Sequence, residues 1–181
     1  MKEIRLHGRG GQGVVKASQI VVKSAVDAGG YGQFIPFFGV ERKGSPVFGF
    51  LRLGDEPIRR NTQVYEPELL LIFDDTLVDL PTTYDGLKQD GIIIVNSKKS
   101  ASELKIPSQA GKVAIVDATG ISLKLFGKNI PNTAMLGAFA KVTGLVDWEI
   151  LLAEITSEFG EKNKEAAIAG YYEVSIADNK K

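Results

Sequence analysis

Gly8-Arg9-Gly10-Gly11-Gln12-Gly13 places four glycines in six residues, between two segments of different hydrophobic period. Residues 3–7 before it read as a short strand. Residues 14–28 after it carry apolar side chains at helical spacing and stop at Gly29-Gly30. Strand, glycine turn and helix in that order open an α/β unit, the context that gives the pattern G-x-G-x-x-G its physical meaning. Glycine lets the backbone turn tightly and approach a ligand, while the first N–H groups of the helix and its dipole favour an anion. Arg9 adds a positive charge beside them. Gly8, Arg9, Gly10, Gly11, Gln12 and Gly13 are therefore a candidate anion loop, and the alternative is a tight turn that serves only the packing of helix on sheet.

Two common nucleotide readings do not follow from this loop. A dinucleotide site also needs an acidic residue about 20 positions on, at the end of the second strand, to hold ribose hydroxyls. Asp27 falls inside the helix, and Glu41 lies beyond a proline and the aromatic stretch at 34–38. A Walker-type phosphate loop needs Lys-Ser/Thr where this chain has Val14-Val15.

Downstream, the β-branched and aromatic residues at 46–53 predict a strand, and Gly54-Asp55 followed by Pro57-Ile58 suggests a turn into a second extended segment. Three short apolar runs, 69–73, 92–95 and 113–116, are each followed by a polar residue (Asp74, Asn96, Asp117) and read as buried parallel strands. Crossover helices are expected within 77–89 and 100–104. From Asn132 the pattern is helical: 133–143, 147–159 with Asp147 as N-cap, and 162–174, ending in a frayed tail at 178–181. The expected fold is α/β: a Rossmann-like, mostly parallel sheet with helices on both faces, a hairpin-like insert and a helical C-terminal third. With 181 residues and no linker or repeat, the chain is expected to form one domain, residues 1–181.

Lys+Arg and Asp+Glu both number 22, so no net field draws the chain to nucleic acid or an anionic membrane, and any anion site must be local. No apolar run is long enough to span a bilayer, and the start Met-Lys-Glu-Ile reads as no leader, so a cytoplasmic protein is expected. Without cysteine there is no thiolate nucleophile and no cysteine ligation of an iron–sulfur cluster. The one histidine, His7, stands at a strand end and reads as a packing or hydrogen-bonding residue rather than a general base, and no G-x-S-x-G nucleophile elbow occurs. Asp74-Asp75 sits where a magnesium carboxylate or a helix cap belongs, and the cap is the preferred reading. Glu41-Arg42-Lys43-Gly44-Ser45-Pro46 suits a recognition loop, with Arg42 and Lys43 as candidate contacts to an anionic ligand or a neighbouring subunit. Lys98-Lys99-Ser100 lies at the ligand edge expected of such a sheet. It would join Arg9, Arg42 and Lys43 in a positive rim if the fold brings them together.

Taken in order, these segments resemble the gamma subunits of 2-oxoacid:ferredoxin oxidoreductases over nearly the whole chain. The residues that carry the likeness begin with His7-Gly8-Arg9-Gly10-Gly11-Gln12-Gly13, Phe38-Gly39-Val40-Glu41-Arg42-Lys43-Gly44-Ser45-Pro46-Val47 and Glu56-Pro57-Ile58-Arg59. They continue with Val95-Asn96-Ser97, Val116-Asp117-Ala118-Thr119 and Asn132-Thr133-Ala134-Met135-Leu136-Gly137. The Glu-Arg-x-Gly-x-Pro-Val form at 41–47 is similar to the pyruvate and branched-chain members. Lys43-Gly44-Ser45 stands where Arg-Gly-Ala is frequent, which leaves pyruvate against other small 2-oxoacids open.

The resemblance implies a reaction in which a 2-oxoacid, coenzyme A and oxidised ferredoxin give an acyl-CoA, carbon dioxide and reduced ferredoxin. It implies thiamine diphosphate and magnesium on alpha and beta portions and iron–sulfur clusters mainly on a delta portion. This chain would hold no catalytic residue and none of those cofactors. Its implied tasks are assembly and the binding of coenzyme A, on the glycine loop and with Arg42 and Lys43. Expected partners are alpha, beta and delta-type subunits and, through them, ferredoxin, with no nucleic acid and no membrane. A free-standing Rossmann-like nucleotide-binding oxidoreductase and a purely structural scaffold subunit stay open as alternatives.

Overall fold

The computed structural model describes residues 1–37 and 45–179. Strand β1 (Lys2–Arg9) leads through the glycine loop into α1 (Val14–Asp27), and the chain returns as β2 (Tyr31–Phe37) and β3 (Pro46–Gly54). Then follow β4 (Leu69–Ile72), β5 (Gly91–Asn96) and β6 (Ala110–Val116), helices α2 (Ala118–Phe126), α3 (Asn132–Thr143), α4 (Trp148–Phe159) and α5 (Glu161–Glu173), and a last strand, β7 (Ser175–Asp178). The strands form one sheet in the order β2-β3-β1-β4-β5-β6-β7. β1, β4, β5 and β6 are parallel neighbours, β2 shares their direction, and only β3 and β7 run against it.

The pleat sorts side chains onto two faces. Ile4 and Leu6 of β1, Leu51 and Leu53 of β3, Leu69 and Leu71 of β4, and Val116 of β6 meet buried residues of all five α-helices. Leu70 and Ile72 of β4, Ile93 and Val95 of β5, and Val113 and Ile115 of β6 face the other way. Strand β4 thus buries every one of its four side chains, which is why it reads as an unbroken apolar run. Burial of each such side chain contributes roughly 1.5–3 kcal/mol.

The covering of the two faces is unequal. One carries the α-helices, and the other carries 3-10 turns at Asp75–Leu77, Pro81–Tyr84 and Ala101–Glu103. The crossover helices expected within 77–89 and 100–104 are therefore only single turns. Pro81 has no N–H to continue a helix from Leu77, Gly86 takes a positive φ (71°), and the apolar Leu77, Val78, Tyr84 and Leu87 cover the sheet without helical order.

The hairpin exists, but β3 pairs with the segment before it rather than with Pro57-Ile58 after it. Residues 34–37 of the aromatic stretch belong to β2, and Phe34 packs toward the helices. Arg52, 1% exposed, clamps the three strands by donating to Glu3 Oε1 (2.8 Å), Gln33 Oε1 (3.1 Å) and the Gln63 carbonyl (3.1 Å).

The C-terminal helices form as their spacing predicts, and Asp147 Oδ1 accepts from Ile150 N at 2.9 Å as the N-cap of α4. The expected frayed tail is instead partly a strand. β7 pairs antiparallel with β6, and Asn179 Nδ2 donates to the Pro107 and Ala110 carbonyls. Helices α3 and α5 touch backbone to backbone: a Cβ on Gly137 would fall on the Ala167 carbonyl, and one on Gly170 on the Ala134 carbonyl. No helix among the described residues is long and apolar enough to cross a membrane.

Candidate functional site

β1, β4, β5 and β6 end at the same edge of the sheet. After β1 the chain passes to the α-helical face, and after β4 it passes to the opposite face. Divergence of two adjacent parallel strands opens a crevice at their carboxyl ends, the place where open α/β sheets receive ligands. The glycine loop forms one wall of it and Asp74 the other.

Within the loop, Gly11 (φ 98°) and Gly13 (φ 79°) adopt the left-handed backbone that favours glycine. Gly13 is the N-cap of α1, and no side chain among the described residues caps that helix. A Cβ on Gly13 would also lie 2.6 Å from Asn132 Nδ2, and one on Gly8 would collide with Val14. Gly10 N donates to the Ser45 carbonyl (3.0 Å), tying the loop to the start of β3.

Gln12 is buried and spans the crevice. Its Oε1 accepts from Arg9 N (2.8 Å) and its Nε2 donates to Asp74 Oδ2 (2.8 Å). Arg9 reaches the same wall: Nη2 donates to Thr76 Oγ1 (2.7 Å) and Nε lies 3.5 Å from Asp74 Oδ2. Burial pushes the Asp74 carboxyl upward, but hydrogen bonds from Thr76 and Gln12 and the charge of Arg9 outweigh it and hold it below the ordinary carboxylate value. Asp74 is the N-cap of the turn at Asp75–Leu77, in agreement with the cap reading of the acidic pair.

Beyond Asp74 a cleft of about 280 Å³ continues along the edge, lined by residues that include Asp75, Asn96, Ser97, Lys98, Thr119 and Asn129. Asn96 knits its floor. Its Nδ2 donates to the Phe73 carbonyl (2.8 Å) and Thr119 Oγ1 (2.9 Å), and its Oδ1 accepts from Thr119 N (3.0 Å). Asp117 caps α2 through Gly120 N (2.7 Å). The polar residues after the three apolar runs signalled this edge. The Asn96–Thr119 exchange and the Ser97–Asp75 bond (2.8 Å) join segments remote in sequence, and no local pattern announces them.

Arg9 and Lys98 come to the same edge, whereas Arg42 and Lys43 lie outside the described residues. Ser100 forms a capping box with Glu103, donating from N (2.8 Å) and Oγ (2.6 Å) to Oε2. His7 packs inside the sheet as a hydrogen-bonding residue. Its Nε2 accepts from Arg5 Nε (3.0 Å), and its ring meets Phe48 edge-on at 5.1 Å. Burial, with Arg5 beside it, pushes its pKa down to about 3, so it stays neutral at physiological pH.

Residues 3–173 match the model of the family described as pyruvate ferredoxin/flavodoxin oxidoreductase. The chain is 50% identical over 173 residues to the pyruvate/ketoisovalerate oxidoreductases common subunit gamma of Thermococcus kodakarensis, covering 92% of this chain and 94% of that one. It is 48% identical over 175 residues to the pyruvate synthase subunit PorC of Methanothermobacter marburgensis, covering 94% and 96%. The crystal structure of the pyruvate oxidoreductase subunit PORC of Thermotoga maritima superposes with a TM-score of 0.86 at 38% identity, over 98% of both chains. The likeness runs from end to end in sequence and in fold, and the chain belongs to the pyruvate ferredoxin/flavodoxin oxidoreductase family as one of its gamma-type subunits.

Proposed function

We propose that this chain works within a cytoplasmic complex that oxidatively decarboxylates pyruvate or a branched-chain 2-oxoacid, giving acyl-CoA, carbon dioxide and reduced ferredoxin, and that its own task is to receive coenzyme A. Alpha, beta and delta-type subunits are its partners, and they carry the thiamine diphosphate, magnesium and iron–sulfur clusters. A chain without cysteine has no thiolates with which to ligate a cluster. The full-length likeness to subunits of multi-chain oxidoreductases favours this reading over a free-standing nucleotide-binding enzyme.

One observation carries the coenzyme A assignment: α1 begins at a glycine N-cap without a side-chain cap, at a glycine loop that opens on the crevice between β1 and β4. N–H groups at the start of a helix and the positive end of its dipole suit a phosphate there. Arg9 stands on the same loop, and Arg42 and Lys43 belong to the same proposed binding set.

The test is charge reversal at Arg9 in the assembled enzyme. Arg9→Glu should raise the KM for coenzyme A by about tenfold or more, the scale of a lost charge-assisted contact, with the subunits still copurifying. Loss of copurification with an unchanged KM in whatever complex remains would make the loop a structural contact between subunits instead.

A further inference from the structure

A sheet edge leaves backbone donors and acceptors unpaired, a template for a further strand. In the order β2-β3-β1-β4-β5-β6-β7 the edges are β2 and β7. Pro36 stands within β2 and supplies no N–H, a common way of blunting an edge. Strand β7 is not blunted in this way. Ser175, Ile176, Ala177 and Asp178 are all exposed, none is a proline or a lysine, and their outer side has no partner strand among the described residues. The strand is also held in place, by its ladder with β6 and by Asn179, whose Nδ2 donates to the Pro107 (3.1 Å) and Ala110 (3.0 Å) carbonyls.

The register fixes which groups point outward. Asn179 N donates to the Gly111 carbonyl (3.0 Å), one step beyond the Lys112–Asp178 pair. Amides that face a partner alternate along an antiparallel strand, so Ser175, Ala177 and Asn179 turn theirs to β6, while Ile176 and Asp178 turn N–H and C=O outward. Ile176 is paired with Ala114, so its side chain lies on the sheet face that carries the α-helices, and it is 44% exposed. On that face α5 ends one residue before β7 and α2 begins one residue after β6. These two helices pack together and expose Tyr172 (75%) and Leu123 (46%). An open backbone row is thus accompanied by exposed apolar side chains.

We propose that two copies of this chain join β7 to β7, antiparallel about a two-fold axis, so that one sheet runs on into the other. Only registers that set outward-turned residues opposite each other allow the backbone bonds. An axis at Asp178 brings two carboxylates face to face, and an axis at Ala177 sets Ile176 against Asp178. An axis at Ile176 pairs that side chain with its own copy, Ser175 with Ala177 and Asp178 with Val174. It opposes no like charges and joins two β-branched side chains, so it is the register of the pair. A four-residue edge alone falls short of the roughly 1,200–2,000 Å² that specific interfaces bury, and Tyr172 and Leu123 extend the contact on the helical face.

Sedimentation of the full chain and mild oxidation of cysteine variants test this, since the chain has no cysteine of its own. The unsubstituted chain should sediment as two copies at micromolar concentration, and Ile176→Lys as one copy with an unchanged circular-dichroism spectrum. Asp178→Pro, which removes an outward N–H and no bond to β6, should weaken the pair about tenfold. Ile176→Cys should cross-link into a covalent dimer, because the paired Cα atoms lie about 5.5 Å apart, within disulfide reach. Asp178→Cys should not, because its two copies stand roughly 14 Å apart along the strand. A chain that stays single, a pair indifferent to Ile176→Lys, or equal cross-linking at 176 and 178 would overturn the proposal. If the chain alone stays single and Ile176→Lys releases a neighbouring subunit from the assembled complex, the edge belongs to a strand of that subunit instead.

Discussion

A polar atom buried without a partner is costly, and His7 Nδ1 is in that state among the described residues. The cost rises in acid. An unfolded histidine takes up its proton near 6.5, the folded His7 only at about 3. Between those values the unfolded chain binds more protons, so stability falls as pH drops, by up to about 1.4 kcal/mol per pH unit. His7→Gln keeps an oxygen that can accept from Arg5 and removes the titration. Its urea-unfolding free energy should fall less steeply than that of the unsubstituted protein between about pH 6.5 and pH 5. Parallel curves would show that His7 is not buried in its neutral form. His7 was legible at this scale as a packing residue from its place at a strand end, but its Arg5 and Phe48 partners were not, since Phe48 comes from β3.

At the scale of elements, the α3–α5 contact fixes how the helical layer sits on the sheet. Both helices give up a side chain at the crossing, and α3 buries Asn132 through Ala140 without a polar face. Gly137→Ala puts a methyl group onto the Ala167 carbonyl and forces the helices apart. It should cost about 3 kcal/mol, the upper end of ordinary overpacking, read as a lowered denaturation midpoint with little change in slope. A loss below half of that would mean that α5 shifts freely. Periodicity showed the helices, because a buried face recurs every three or four residues. It did not show the missing crossover helices, because Leu77, Val78, Tyr84 and Leu87 cover their sheet face as turns whose order comes from the surface beneath. Nor did it show β2, whose alternation becomes meaningful only once β3 is paired with it.

For the whole molecule, a gamma-type subunit is expected to do no chemistry alone. The purified chain should catalyse no coenzyme A-dependent decarboxylation, and mixing with alpha, beta and delta-type subunits should restore turnover; activity of the isolated chain would refute the division of labour proposed here. The sequence by itself determined the glycine loop, the buried strands, the helical C-terminal third and the likeness to one subunit family. Each of these is written in local period or in the order of short motifs. Only the tertiary structure decided that Gln12 bridges to Asp74, that Asn96 joins β5 to Thr119, and that the acid beside the glycine loop is found at the end of β4. The physical reason is topological. Inserting the β2–β3 hairpin next to β1 leaves β4 as the parallel neighbour, so residues more than sixty positions apart in the chain meet at one sheet edge, a distance across which side-chain pattern carries no signal.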